Sequence, residues 1–488
     1  VVVNPVKETG LVRFRIPSDL RSLLFGTKIA DHYVQLNIGS DLAFMMGIAK
    51  HTLIYSQHQE GFIAEHTNGF DEFVKACDAT SWEEIYAQTG LSKSQIEEIA
   101  DLYGNSTHCI FSWTMGITHH FHGSDNVKMI ANLALLRGMV GKRHAGMLPI
   151  RGHSNVQGVG SVGVTPALKT PVLESLQDRF GIKLPEAPGK DSMACMDAAE
   201  RGEMDVAFCL GGNLYGANPD LNYARRALGN IDTVIYCSTT LNQGHFHGTG
   251  KRTLILPVLA RDEEAQATTQ ESMFNFVRLS DGGKARWNGP RGEVAILADI
   301  AHDVLGKESP IAWQDLKNHD QIRAVIGAVV PGFEKLTEIN QTKQEFHING
   351  RTFHQPKFAT KDGRANFSPC RLPKLERDPD ELILMTVRSE GQFNTVVYEE
   401  EDLYRGQERR DVILMNPKDI QSQGLHPNQR ITVKSRVGKI PGILVRPYDI
   451  SPGNALMYYP EANVLVPTSR DPESQTPGFK YVPITIEQ

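Results

Sequence analysis

The chain has 488 residues, of which 40% are apolar and 22% charged, and its formal net charge at pH 7 is −6. This length exceeds one ordinary hydrophobic core, so the sequence predicts a globular protein of about two to four packed units. Basic and acidic residues alternate instead of forming basic blocks, which argues against nucleic acid as a partner. No apolar stretch approaches the roughly eighteen residues that a membrane span requires. We therefore expect a soluble, cytoplasmic protein with no membrane span.

The first residues and the cysteines limit the fold further. Val1 to Val3 form a β-branched run that ends at Asn4-Pro5, which predicts a buried strand followed by a loop. Because such a strand needs neighbours on both sides, we expect the natural protein to begin upstream. The six cysteines show no Cys-x-x-Cys spacing, which argues against disulfides and against an iron–sulfur or zinc site made by this chain alone. We expect buried, reduced thiols.

The first candidate binding turn lies between a short strand, His32 to Leu36, and the apolar run Leu42 to Met46. Gly39, Ser40 and Asp41 separate the two, and this polar turn predicts the start of a helix. Free backbone N–H groups at a helix start can hold a phosphate or a carboxylate. An ordinary helix cap explains the same pattern, so both interpretations stay open at this point.

Two further elements follow before residue 150. Ser92 and Gln95 have the spacing of a capping box, which predicts a helix that stops at Gly104. His108 to Trp113 has the pattern of a buried strand, and a glycine turn leads from it into an apolar helix that ends at Gly138. The turn contains Met115, Gly116 and His119.

The densest polar segment is Arg151 to Gly160. Its glycines let a ligand approach the backbone closely. Arg151, His153 and Asn155 offer donors for phosphates and for the edge of a heterocycle. Apolar residues on both sides favour a half-buried ligand loop, and a surface turn is the alternative.

A clearer α/β unit begins with the predicted strand Asp205 to Leu210. Gly211-Gly212-Asn213 forms its turn, Tyr223 to Leu228 is helical, and Thr233 to Cys237 is the next strand. Ligands of open α/β sheets bind at the carboxyl ends of strands, where this turn lies, although an ordinary strand-to-helix turn explains the glycines as well. His245 and His247 lack a third ligand at suitable spacing, so we expect no metal there.

Beyond Pro379 the sequence changes to short alternating strands between Gly and Pro turns, which predicts a separate β-rich domain, a barrel. Its polar loops are Arg388 to Asn394, which follows the strand Leu382 to Val387, Glu461 to Asn463, and Gln475 to Lys480. Loops at the open ends of strands present ligand contacts, or form a solvated rim. We expect residues 334 to 378 to form the connection into this domain.

The segment Leu148 to Gly158, with the sequence LPIRGHSNVQG, resembles the signature of molybdopterin-dependent oxidoreductases, specifically the formate dehydrogenase H-like alpha subunits of the dimethyl sulfoxide reductase superfamily. The resemblance extends over nearly the whole chain, which would be the C-terminal portion of such a subunit. Asp262 to Gln266 and Gln270 to Met273 look closer to a less characterised formate dehydrogenase-like branch.

The resemblance implies an α/β fold class, with Rossmann-like α/β layers of the formate dehydrogenase and DMSO reductase type and a C-terminal double-psi β-barrel, aspartate decarboxylase-like. The implied domains are an N-terminally truncated nucleotide-binding domain over residues 1–150, a second α/β domain over 151–378, and a dinucleotide-binding barrel over 379–488.

The implied cofactor is bis-molybdopterin guanine dinucleotide with molybdenum or tungsten. A 4Fe-4S cluster and the metal-ligating residue are expected only upstream of Val1, so no residue of this chain is a metal ligand. Arg151 and Arg388 would contact phosphate or pterin, and His153, Asn155 and Asn394 would contact the pterin edge. The implied catalytic residues are His119, which would handle a proton near the metal, and Arg151. The cofactor-binding positions are Asn4, Gly39, Asp41, Met115, Gly116, Arg151, His153, Asn155, Gly211, Gly212, Asn213, Arg388, Glu390, Gln392, Asn394, Asn463, Phe479 and Lys480.

The chain departs from the family pattern at two positions. Ser238 stands where family members carry an acidic residue after a strand, which puts the nucleotide contact there in doubt. His119 stands where formate enzymes have a Gln near the channel, so the substrate need not be formate.

The resulting hypothesis is a catalytic-subunit fragment with formate dehydrogenase-like two-electron chemistry, inactive by itself, with a small-molecule substrate and an electron-transfer partner. The alternatives are a regulatory relic that keeps the cofactor cradle without turnover, and a fragment unable to hold the cofactor.

Overall fold

A computed structural model of the chain describes residues 1–351, 353–392 and 399–488. These residues form two compact units, of which unit 1 comprises Val1–Leu148, Gly216–Asn222 and Phe353–Gln488, and unit 2 comprises Pro149–Tyr215 and Tyr223–Thr352. Unit 1 combines parts of all three segments expected from the sequence, so the division at residues 150 and 378 stays a prediction.

Unit 1 contains a helical layer built around the helix Asp41–Ile54. Its residues from Leu42 to Thr52 are all buried, because neighbouring helices pack on every side. The capping box is present as predicted, with Ser92 and Gln95 bonded in both directions, and its helix ends at Asn105. The helices of this layer are Glu60–His66, Phe70–Ala79, Trp82–Thr89, Lys93–Asn105 and Gly123–Leu136. Among the residues that the structure describes, no helix is long and apolar enough to cross a membrane.

Smaller elements complete this part of unit 1. The short helices are Thr9–Val12, Leu20–Phe25 and Met115–Thr118. Two-stranded sheets pair Val2–Val3 with Tyr33–Val34, Arg13–Phe14 with Thr27–Lys28, Thr67–Asn68 with Ala365–Asn366, and Ile110–Trp113 with Gly146–Pro149.

The C-terminal part of unit 1 is the predicted barrel, which six strands of the described residues close. In their order around the barrel these are Leu382–Val387, Asn454–Tyr458, Val412–Met415, Lys439–Pro447, Arg430–Lys434 and Val482–Glu487, with the helix Pro417–Ser422 between strands. Alternate residues of every strand fill the interior. The other face of several strands is covered as well, by Val6 and Ile38 among others. Burial on both faces explains why Leu382–Val387 is apolar at every position except Thr386. The double-psi topology of the barrel stays a prediction.

Unit 2 contains the predicted α/β element. The strands Val206–Leu210, Thr233–Ser238 and Arg252–Pro257 form a parallel sheet within the described residues, with Thr233–Ser238 in the middle. The helix Glu293–Leu305 contributes Ile296 to the core on this sheet. The helices Leu214–Ala217 and Leu221–Gly229 follow the first strand.

The rest of unit 2 packs around an antiparallel sheet of Thr268–Glu271, Phe276–Ser280 and Phe346–His347. Residues of the helices Thr170–Phe180 and His319–Val329 share one core with this sheet. The remaining helices are Val156–Ser161, Ser192–Glu200, Gly244–His247 and Ile339–Thr342.

Three local predictions were wrong. The strand Val2–Val3 is not buried, since Val3 is 38% exposed and the strand belongs to a sheet of two strands only. The strand at His108 to Trp113 shortens to Ile110–Trp113, and Ile110 is 59% exposed for the same reason. Residues 334 to 378 are more than a connection, because Phe346 belongs to the core of unit 2 and Phe367 to that of unit 1.

The six cysteines are free thiols, as expected. Cys77, Cys237 and Cys370 are buried, whereas the other three are half-buried. Within the described ranges, no group of three or more His, Cys, Asp or Glu side chains is placed to hold a metal ion.

Candidate functional site

Two neighbouring barrel strands place Arg388 beside Tyr459. Leu382–Val387 and Asn454–Tyr458 run parallel, with Val387 opposite Tyr458. The next residue of each strand is therefore Arg388 or Tyr459, at the same edge of the barrel. The Arg388 guanidinium carbon lies 4.6 Å from the centroid of the Tyr459 ring, which is a cation–π contact.

Phe479 and Lys480 join this edge through the backbone of Thr386. The Thr386 amide and hydroxyl both donate to the Phe479 carbonyl, at 3.3 and 3.1 Å. Lys480 donates its backbone N–H to the His119 carbonyl at 3.0 Å, and its Nζ donates to the Thr386 carbonyl. The Phe479 ring lies 5.3 Å from the His119 ring and 6.0 Å from the Tyr459 ring. Four predicted positions, His119, Arg388, Phe479 and Lys480, thus come together.

The electrostatics of this cluster are strongly positive. Burial, together with Arg388 and Arg405, lowers the pKa of Lys480 to about 8, although Glu8 opposes the shift. Burial, Lys480 and Arg388 lower the pKa of His119 to about 3, so its imidazole is neutral at pH 7. Within the described part of the chain, neither Arg388 nor Lys480 forms an ion pair. We call Arg388 and Lys480 the cation pair.

A buried network holds the backbone of Arg388 in place. Arg405 Nη1 donates to the Arg388 carbonyl at 2.9 Å and to Asp402 Oδ2 at 2.8 Å. The Tyr458 hydroxyl donates to the same Asp402 oxygen at 2.7 Å, and Arg405 also pairs with Glu8. Asp402 and Glu8 are thereby engaged with Arg405, which leaves the cation pair available to an anion.

Arg410 holds the two loops that follow the strands Leu382–Val387 and Asn454–Tyr458. It donates to Ser389 Oγ at 3.1 Å, to the Tyr459 carbonyl at 2.6 Å and to Glu461 at 2.8 Å. Sequence reasoning missed Arg405 and Arg410, because nothing in the motif pattern distinguishes these arginines from the exposed ones around them.

Asn463 is fully buried near this edge of unit 1. Its Nδ2 donates to the Gly216 carbonyl at 2.9 Å, while its Oδ1 has no hydrogen-bond partner among the described residues. A buried acceptor without a partner is costly, so this oxygen is suited to a donor from a ligand. Glu390 is exposed and Gln392 half-buried, and Asn394 lies outside the described residues.

The other predicted positions of unit 1 lie in local structure. Gly39 is buried against Tyr481, whose ring would lie 2.6 Å from an added Cβ. Asp41 begins its helix, and burial raises the pKa of its carboxyl to about 6. Asn4 Nδ2 donates to the Tyr33 hydroxyl at 3.4 Å. Met115 and Gly116 are exposed on a short helix.

The glycine turn of unit 2 lies at the carboxyl ends of the parallel strands. Gly211 and Gly212 have φ of 70° and 71°, a left-handed conformation that favours glycine. The Gly211 amide donates to the Cys237 carbonyl at 2.8 Å, and Asn242 Nδ2 donates to the Gly212 carbonyl at 3.1 Å. A Cβ at either glycine would meet nothing within 4 Å. The turn is therefore fixed in shape and open above its backbone, next to the buried Asn213.

Ser238, which departs from the family pattern, follows the middle strand of the same sheet. Its hydroxyl donates to the Thr240 carbonyl at 2.7 Å. The Ser238 side chain therefore stabilises the loop that follows its own strand.

The Arg151 to Gly160 loop of unit 2 is attached to the antiparallel sheet. Asn155 Oδ1 accepts the Glu271 amide at 3.0 Å, and Gln157 donates to the Glu271 carboxylate at 2.9 Å. Arg351 also pairs with Glu271, which is buried. Arg151 and His153 are exposed. The loop is thus anchored at Asn155 and Gln157, while Arg151 extends into solvent.

Together these features define a class of protein: an α/β protein with a C-terminal β-barrel, whose strand-end turns offer open glycine backbone and an unpaired set of cations. Residues 14–270 match the family model described as molybdopterin oxidoreductase, and residues 382–483 match the Molydopterin dinucleotide binding domain. The chain therefore belongs to the molybdopterin oxidoreductase family, which confirms the family predicted from the sequence.

Two curated proteins are similar to this chain over its whole length. The chain is 32% identical to an uncharacterized oxidoreductase of Mycobacterium tuberculosis over its whole length and 66% of that protein. It is 33% identical to protein YdeP of Escherichia coli, again over its whole length and 68% of that protein. The chain thus spans about two thirds of the length of these curated relatives.

Two more distant likenesses remain. Formate dehydrogenase H of E. coli is 24% identical over 94% of this chain and 67% of that protein. The structure of acetylene hydratase from Pelobacter acetylenicus superposes with a TM-score of 0.68 at 15% identity, over 94% of this chain and 72% of that chain. At this identity the second likeness shows the fold alone.

Proposed function

We propose that this chain binds the molybdopterin guanine dinucleotide cofactor of an oxidoreductase that carries out formate dehydrogenase-like two-electron chemistry on a small molecule. The observation that carries the proposal is the cation pair at the edge of the dinucleotide-binding barrel. Arg388 and Lys480 lack carboxylate partners among the described residues, while Asp402 and Glu8 are engaged with Arg405. Unpaired cations beside aromatic rings suit a phosphate-bearing, ring-containing ligand.

The described residues suit this cofactor in three ways. Arg388 would form a bidentate contact with phosphate or pterin oxygens, since its planar guanidinium lies against the Tyr459 ring. Asn463 would accept a donor at its unpaired Oδ1. In unit 2, the open backbone at Gly211 and Gly212 would admit a phosphate closely. When bound, the cofactor would supply the metal and the two-electron redox chemistry.

The protein's own proton chemistry is assigned to Lys480 in preference to His119. With a pKa of about 3, the His119 imidazole is too weak a base to collect a proton at pH 7. It would offer a hydrogen bond in its neutral form. Lys480 Nζ has a pKa of about 8, close to the pH at which a group can both hold and release a proton.

Arg151 is proposed as the contact for an anionic substrate group. Its guanidinium is exposed in unit 2, and its segment is anchored a few residues later by Asn155 and Gln157. A fixed backbone below a free guanidinium suits bidentate recognition of a carboxylate.

The test is cofactor content. The chain would be produced in cells that make the molybdenum cofactor, and the purified protein would be assayed for molybdenum and tungsten by mass spectrometry and for guanine nucleotide released by acid hydrolysis. We expect both in the wild-type chain and a loss of both in the double variant Arg388→Met, Lys480→Met. Arg436→Met, at an exposed barrel arginine, is the control. A wild-type chain free of metal and nucleotide would contradict the proposal.

A second assay separates an enzyme from a cofactor-binding relic. A chain extended to the length of the relatives would be tested for dye reduction with formate and with other small oxidisable anions. Turnover supports the oxidoreductase, while cofactor retention without turnover on any of them favours the relic.

A further inference from the structure

A second surface of unit 1 contains none of the residues proposed to bind the cofactor. The strands Arg13–Phe14 and Thr27–Lys28 form an antiparallel hairpin that carries the helix Leu20–Phe25 between them. We call residues 12–29 the Leu-Phe hairpin. Its large apolar side chains are exposed to an unusual degree: Val12 37%, Phe14 43%, Leu20 73%, Leu23 45%, Leu24 62%, Phe25 71% and Ile29 46%.

The helix of this hairpin buries its polar residue and exposes its apolar ones. Ser22 is the buried residue of the helix. Its amide donates to Asp19 Oδ1 at 3.0 Å, and its hydroxyl accepts from the Ile16 amide at 2.9 Å and from Thr27 Oγ1 at 2.7 Å. In an ordinary surface helix, apolar residues face the core and polar residues face the solvent. The hydrogen bonds of Ser22 thus hold the helix in an orientation that exposes Leu20, Leu24 and Phe25 to solvent.

The same segment is basic on an acidic chain. Arg13, Arg15, Arg21 and Lys28 are all exposed, whereas the whole chain has a net charge of −6. The nearby acids are Asp19, which caps the helix, and Asp31, which pairs with Lys28 at 3.3 Å. Residues 12–29 therefore combine exposed leucine and phenylalanine with an excess of basic over acidic residues.

We propose that the Leu-Phe hairpin docks on an anionic lipid surface, with Leu20, Leu24 and Phe25 inserted at the level of the headgroups. Clustered apolar side chains flanked by basic ones are the pattern of an interfacial anchor, and each arginine near an anionic leaflet adds to the attraction. A second copy of the chain is a poorer occupant, because a symmetric contact through this hairpin would place the same basic segment of both copies in one interface. The proposal does not depend on the bound cofactor.

The test is vesicle flotation with the whole chain, using vesicles of phosphatidylcholine alone and vesicles that also contain phosphatidylglycerol. We expect binding to the anionic vesicles, weakened by salt, and about tenfold weaker binding to the neutral ones. The variant Leu20→Gln, Phe25→Gln should bind the anionic vesicles about tenfold less or worse. Val304→Gln, Leu305→Gln is the matched control, since these residues are 75% and 56% exposed on another helix.

A second variant removes charge only, so that a loss of binding cannot be attributed to the apolar substitutions in the helix. Arg15→Gln, Arg21→Gln changes no side-chain hydrogen bond of the hairpin, and it should lower binding to anionic vesicles about tenfold without changing binding to neutral ones. Three results would overturn the proposal: no binding of the wild-type chain to anionic vesicles, unchanged binding of both hairpin variants, or a wild-type dimer that the Leu20→Gln, Phe25→Gln variant dissociates.

Discussion

Arg388 lies over the Tyr459 ring because Val387 and Tyr458 are partners in two parallel barrel strands. The position of the guanidinium is therefore set by strand register, and Arg405 further holds the Arg388 carbonyl. A cation presented in this way loses little conformational freedom when it binds an anion. We therefore expect the edge of the barrel to be ordered before the proposed ligand binds.

The first prediction concerns the shape of the Arg388 side chain as distinct from its charge. Arg388→Met should lower cofactor retention about tenfold or more, because a charge-assisted hydrogen bond contributes about 1.5 to 3 kcal/mol. Arg388→Lys should give an intermediate value, since an ammonium keeps the charge without the planar fork. The readout is guanine nucleotide per chain after acid hydrolysis. Equal retention by all three proteins would show that the proposed contact is absent.

The second prediction concerns Lys480 and pH. Because the pKa of Lys480 is about 8, its ammonium is charged at pH 7 and largely neutral by about pH 9. Binding of guanosine diphosphate, measured by titration calorimetry, should therefore weaken as the pH rises through about 8. Lys480→Met should remove this dependence. Arg388→Met should shift the midpoint upward, because Arg388 is one of the cations that lower the pKa. An affinity that is flat from pH 7 to 9 in the wild-type chain would contradict this role.

Local signals in the sequence predicted local structure well. The Ser92 and Gln95 capping box, the turn at Gly211 and Gly212, and the apolar strand Leu382–Val387 all lie where the pattern placed them. Each of these depends on neighbours within a few residues. The same holds for the barrel as a class, since the spacing of strands and turns recurs along the chain.

The sequence did not predict which strand residues are exposed, or which distant residues hold the site in place. Ile110 and Val3 belong to apolar runs typical of buried strands, yet each lies in a two-stranded sheet that leaves a face exposed. Arg405 binds Glu8 across 397 positions of sequence, and no spacing rule connects residues so far apart. The orientation of the helix Leu20–Phe25 depends on the hydrogen bonds of Ser22, which only the folded hairpin brings together.

The third prediction separates backbone strain from ligand approach in the glycine turn. Gly212 and Gly202 have nearly the same φ, 71° and 72°, and a Cβ at either would meet nothing within 4 Å. Substitution to alanine should therefore cost about 1 kcal/mol of stability at each position, from the left-handed backbone alone. Gly212→Ala should in addition lower cofactor retention, because the new methyl group would stand where a phosphate approaches. Unfolding in urea and nucleotide content measure the two effects; equal retention in both variants would argue against a ligand at this turn.

The fourth prediction concerns the buried network below the cation pair. Asp402 is 1% exposed and is bonded to Arg405 and to the Tyr458 hydroxyl. Asp402→Asn keeps the side-chain volume but removes the charge that compensates Arg405, so the barrel should lose about 2 to 4 kcal/mol, with Glu8 limiting the loss. Tyr458→Phe removes one hydrogen bond and should cost about 1 kcal/mol.

The exposed pair Lys434–Glu487, on the same barrel, provides the comparison for Asp402. Its side chains are about half exposed, so Glu487→Gln should change the free energy of unfolding by no more than about 0.5 kcal/mol. Urea unfolding with an unchanged slope measures each value. If Asp402→Asn proved as mild as Glu487→Gln, Arg405 would not depend on this carboxylate, and the placement of the Arg388 backbone would need another cause. A large loss for Asp402→Asn, accompanied by lower nucleotide retention at a temperature where the barrel is still folded, would link the buried pair to the binding edge above it.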